Sequence, residues 1–74
     1  MKDTIIQLLS EALPTVDFDS DFLFGELDSL GVATIMIILS SHYDIPFEAA
    51  DVTPRNFMNV DALVKLVETK LAGR

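Results

Sequence analysis

The sequence predicts an all-α fold: a single domain over residues 1–74, built as a bundle of three main helices and one short one. Three observations carry this. The chain has 74 residues and no cysteine, so neither a disulfide nor a thiolate metal site can staple it. A compact helical core with short connections is the solution that remains. Apolar residues also recur at helical spacing in separate stretches. Finally, only one run, VATIMIIL at 32–39, has the β-branched richness of a buried strand, and a lone strand has nothing to pair with.

Along 3–13, Ile5, Ile6, Leu8, Leu9, Ala12 and Leu13 make one apolar stripe of a first helix, which Pro14 stops. Residues 14–28 form a long connection whose aromatic and aliphatic residues, among them Phe18, Phe22, Leu23 and Leu27, predict that it is packed onto the core. The second helix spans 29–43, with Leu39 and Tyr43 following Ile35 on one face. Pro46 follows it, and 47–53 reads as loop. Thr53 and Pro54 look like an N-cap and first-turn proline of a short third helix through Met58. Asn59 caps the last helix, striped by Val60, Leu63, Val64, Val67 and Leu71. Asp61 near its start and Lys70 near its end suit the helix dipole, and Gly73 ends it.

Half the residues are hydrophobic and the mean hydropathy is +0.40, high for a chain of net charge −7. Apolar and acidic residues must therefore occupy separate regions. Between Lys2 and Arg55 there is no Lys or Arg, while nine carboxylates run from Glu11 to Asp51. That field repels nucleic-acid phosphates. It keeps an apolar protein in solution and attracts partners with basic docking surfaces. No apolar run approaches the ~20 residues of a membrane span. The acidic start, without a cleavage-type ending, is unlike a signal peptide, and the expected location is the cytoplasm.

The chemistry concentrates at Leu27-Asp28-Ser29-Leu30, where the acidic connection meets the second helix. A serine there is expected to be exposed beside unpaired N–H groups and the positive end of the helix dipole, which favour a phosphate ester on its hydroxyl. A plain N-cap is the commoner role for Ser29 or Asp28, although no Glu or Gln follows three residues on to complete a capping box. Gly31 costs the first turn roughly 1 kcal/mol relative to Ala, which a close approach by another group would explain.

The segment LDSLGVATIMIILSSHYDIPFEAADVTPRNFMNVDALVKLV resembles the acyl and peptidyl carrier family. The D-S-L string carries the resemblance, together with Ile35, Leu39 and Tyr43, the turn Asp44-Ile45-Pro46, and the run from Val52 to Leu63. The resemblance covers essentially the whole chain and implies an up-down bundle. It implies a 4'-phosphopantetheine arm attached to Ser29, with Asp28 as the neighbouring acid that partners recognise and Leu30 as the first residue of the docking face. Such a domain carries acyl or aminoacyl thioesters and is not itself an enzyme. The implied partners are a phosphopantetheinyl transferase, a cargo-loading ligase, adenylating enzyme or acyltransferase, and downstream biosynthetic enzymes; the carrier itself is expected to be a monomer.

One departure from the family matters. Carriers of fatty-acid synthesis line the second helix with acids, whereas here no acid lies between Asp28 and Asp44. A helix apolar nearly all round should be buried, but 74 residues cannot bury every side. Leu30, Ala33 and Ile37 are expected to remain as an exposed apolar strip for partner docking. The chain thus looks closer to stand-alone carriers of specialised biosynthesis, including aminoacyl and D-alanyl types. The rival reading is an unmodified acidic helical interaction module, for which Ser29 is dispensable. A further possibility is a carrier-like domain whose serine stays bare.

Other motifs carry less. Asp17, Asp19, Asp21 and Asp28 imitate a calcium loop, but Phe22 stands where the sharp turn needs glycine. His42, thirteen residues from Ser29 along a helix and so about 20 Å away, is too far to act as its base.

Overall fold

The computed structural model describes residues 1–73. Three helices make the frame: α1, Lys2–Ala12; α2, Ser29–Tyr43; and α3, Val60–Ala72. No strand forms among the described residues, and VATIMIIL is helical. α1 packs against both other helices, and the α2–α3 contact is the slimmest of the three.

Each helix buries the centre of the face its spacing predicts, whereas Ala12, placed on the α1 stripe, is exposed at the helix end. α1 contributes Ile5 and Leu9, α2 Ile35 and Leu39, and α3 Val60, Leu63 and Val67. The connections complete the core with Phe18, Leu23, Ile45 and Phe57. Phe57, the largest fully buried side chain, receives the ring of Phe24 edge-on at 6.4 Å. The Leu23 N–H donates to the Met58 carbonyl at 2.6 Å, tying the first connection to the second. As its aromatics predicted, the 14–28 segment is packed down, with a 3₁₀ turn at Leu23–Glu26.

The helix ends follow local chemistry. The Ala62 N–H donates to Asn59 Oδ1 at 2.9 Å, the expected cap of α3. α2 ends on Asp44 in the left-handed region (φ 54°), and Ser40 Oγ donates to the Ile45 carbonyl at 2.6 Å.

The short third helix departs from expectation. Thr53 does cap, its Oγ1 accepting from the Asn56 N–H at 3.0 Å, and the Phe57 N–H donates to the Thr53 carbonyl at 3.1 Å. Propagation stops after this one turn, because Asn59 is already committed as the cap of α3 and the Met58 carbonyl to Leu23. Residues 54–58 are therefore turns, and the short helical piece is a 3₁₀ turn earlier, at Ala49–Asp51, within the expected loop. The Asp51 carboxylate builds it by accepting the Glu48 N–H at 2.7 Å.

Candidate functional site

α2 begins where the acidic connection ends. Asp28 is its N-cap: the Gly31 N–H donates to Asp28 Oδ1 at 2.7 Å, and the Val32 N–H donates to the Asp28 carbonyl at 3.0 Å. Ser29 is the first helical residue and is exposed. The Ser29 and Leu30 N–H groups find no acceptor among the described residues. Two backbone donors thus stand free beside the Ser29 hydroxyl, at the positive end of a fifteen-residue helix.

Gly31 has a local explanation. A Cβ there would meet both Asp28 Oδ1 and Leu27 Cδ2 at 3.3 Å. The close approach that the glycine accommodates is by the chain's own cap and by Leu27, so an external group is not needed to account for it.

An open cleft of about 720 Å³ lies against this helix start. Asp28 and Ser29 are its polar lining residues. Phe24, Leu27, Val32 and Met36 form apolar walls on the α2 side, and Ala49 and Val52 close it from the second connection. Val32 and Met36 follow Ser29 by three and seven residues and so share its helix face. That spacing is legible in the sequence; the participation of Val52 is not.

Of the residues singled out from the sequence, Asp28, Ser29 and Ala33 line this one cleft. Leu30 and Ile37 lie outside it and face outward, 73% and 68% exposed. With the exposed Ala33 they make an apolar strip at spacing i, i+3, i+7. His42 is exposed at the far end of α2, its ring edge-on to Tyr43 at 4.8 Å.

The acidic loop is organised by its own side chains. The Asp19 N–H donates to Asp17 Oδ1 at 2.9 Å and the Phe22 N–H to Ser20 Oγ at 3.1 Å. Among the described residues, no three His, Cys, Asp or Glu side chains gather as ligands for a metal ion. Nor is any described helix long and apolar enough to cross a membrane.

Two ion pairs form among the described residues, in different environments. Lys2 meets Asp61 at 2.9 Å with both side chains more than half exposed, where water and salt leave such a pair little to contribute. Lys70 meets Asp51 Oδ2 at 2.7 Å with both side chains only 17% exposed. Burial pushes the Asp51 carboxyl up, but the Lys70 hydrogen bond, the Glu48 N–H and the Lys70 charge outweigh it and hold the group below the usual carboxylate value.

No family model, curated protein or solved structure matches this chain.

Proposed function

We propose that this chain is a carrier protein, with Ser29 as the attachment point of a 4'-phosphopantetheine arm. The observation that carries the reading is the setting of Ser29: an exposed hydroxyl beside two free backbone N–H groups, opening onto an apolar cleft, within a D-S-L sequence. These residues fit the group. The free N–H groups and the helix dipole offer stabilisation to a phosphodiester, and the cleft offers an apolar lining to what lies beyond it.

Ser29 Oγ is the nucleophile of the loading step, in which a transferase uses coenzyme A. The Oγ–phosphorus bond forms, the pyrophosphate bond breaks, adenosine 3',5'-bisphosphate leaves, and the serine proton passes to a base of the transferase. Once attached, the arm supplies a thiol that holds acyl or aminoacyl cargo as a thioester. The chain's own part is to bind, hold and present. Asp28 fixes the turn that exposes Ser29. Leu30, Ala33 and Ile37 form the docking strip for the transferase, the loading enzyme and downstream enzymes, and the loop acids draw in basic partners from a distance. Tethering then raises the effective concentration of cargo at a docked active site. The chain works as a cytoplasmic monomer without catalysing a reaction of its own.

The test is the intact mass after incubation with coenzyme A, magnesium and a broad-specificity phosphopantetheinyl transferase. A gain of one phosphopantetheine unit that is absent in Ser29→Ala is the expected result. No gain, with a control carrier modified in the same tube, removes the support for this reading with that transferase. The strip of Leu30 and Ile37 favours the second reading, an unmodified interaction module, because it needs no prosthetic group to serve as an interface.

A further inference from the structure

The two walls of the Ser29 cleft are held in place by different means. The α2 wall belongs to a helix whose Ile35 and Leu39 are fully buried. The opposite wall, Ala49 and Val52, belongs to a segment in which no residue from 46 to 56 is buried, although Phe47 and Val52 lean on the core.

The polar link from this segment to α3 is Lys70. Its Nζ pairs with Asp51 Oδ2 at 2.7 Å and lies 5.3 Å from the centre of the Phe47 ring. No other hydrogen bond or ion pair among the described residues links 46–56 to α3. The same Asp51 carboxylate accepts the Glu48 N–H, and the Asp51 carbonyl accepts from Asn56 Nδ2 at 3.0 Å. One residue therefore shapes the wall and fastens it. Removing one member of a pair so withdrawn from water leaves the other without its partner. A segment with few buried contacts also opens as a local unit, below the free energy of global unfolding.

We propose that Asp51 and Lys70 form a latch. While closed, it holds the 47–53 wall at a fixed distance from α2. When it opens, the apolar cleft beside Ser29 widens while the three helices stay folded. Resting on the reading of Ser29 as the arm's attachment point, the latch limits the size of apolar cargo that the cleft shelters.

The test uses the unmodified full chain and three variants. Lys70→Met keeps an apolar stem over Phe47 and removes the charge; Asp51→Asn keeps the shape of the carboxylate without its charge; Lys70→Arg keeps the cation. Amide hydrogen exchange is followed by NMR, and the neutral apolar dye N-phenyl-1-naphthylamine is titrated into each protein. In Lys70→Met and Asp51→Asn, the hydrogen-bonded amides of 51–53 should exchange about tenfold faster or more, while those of Leu9, Leu39 and Leu63 keep their wild-type rates. The dye should bind several-fold tighter, with the largest methyl shifts at Met36 and Val52. Lys70→Arg should behave as wild type.

Faster exchange spread evenly over all three helices would overturn the latch, as would unchanged 51–53 amides, dye shifts away from the cleft, or loss of the fold in both charge-removing variants. Neither readout needs a modified Ser29. Failure of the mass gain with the exchange and dye results intact removes the support for the carrier reading with that transferase and leaves the latch standing. A mass gain with wild-type exchange and dye affinity in the variants removes the latch alone.

Discussion

The two long connections of this chain do similar jobs by different means. Both span the gap between helices and both contain one 3₁₀ turn. The first, 13–28, drives Phe18 and Leu23 into the core and donates a backbone hydrogen bond to Met58. The second, 44–59, buries only near its two ends, at Ile45 and Phe57, and fastens its middle by a charged pair. Hydrophobic anchoring makes a connection part of the frame, since moving it exposes apolar area. Polar anchoring leaves it separable, because an ion pair released to water is rehydrated. The cleft beside Ser29 lies between these two regimes, with Phe24 and Leu27 from the first and Ala49 and Val52 from the second.

Substitutions can break this comparison or sharpen it. The largest effect is expected where the second connection does enter the core. Phe57→Ala removes a fully buried aromatic and should cost about 3–5 kcal/mol, comparable to the whole stability of so small a domain. Loss of most helical circular dichroism at 25 °C is the outcome; a cooperative fold close to wild type would mean that Phe57 is not part of the frame. Next comes the cap at the close of the same connection. Asn59→Ala strands the Ala62 N–H and should lower the urea-derived stability by about 1 kcal/mol, a global loss that differs in kind from the local loosening expected at Lys70.

The smallest global effect is expected at the latch, and it depends on pH. The folded Asp51 carboxyl sits below its ordinary value of 3.8, so its contribution to stability is present above that value. It is lost as pH falls through the lowered value. Asp51→Asn lacks that contribution at every pH. The gap in urea midpoint between wild type and variant should therefore be open at neutral pH and close progressively below 3.8. A gap that stays constant down to strongly acid pH would mean that the charge of Asp51 is not what holds the wall.

The frame was legible because its signals are local. Ile5 and Leu9, Ile35 and Leu39, and Leu63 and Val67 each sit four residues apart, and Asn59 caps within its own turn. The exposed strip was legible by arithmetic, because a short chain cannot cover an all-apolar helix, and Leu30 and Ile37 are indeed left open. The helix expected after Thr53 failed because its cap is real but has one turn of room before Asn59 claims the next start. Gly31 was readable as a point of close approach, but not as an approach by Asp28 and Leu27. The cleft was half legible: Val32 and Met36 lie on the helix face of Ser29, while Val52 and the Asp51–Lys70 pair join residues that no sequence period connects.

The absence of any buried residue between 46 and 56 bears on how this protein can change over generations. Substitutions in a packed interior are felt throughout a small fold, whereas surface substitutions away from such features usually shift stability by less than about 0.5 kcal/mol. Ala49 and Ala50 can therefore drift or acquire bulk with the three helices intact, while Asp51 and its tether hold the wall in place. One side of the cleft is in this sense a replaceable panel on a fixed chassis: a library of variants can explore new occupants there while the framework that displays Ser29 stays the same.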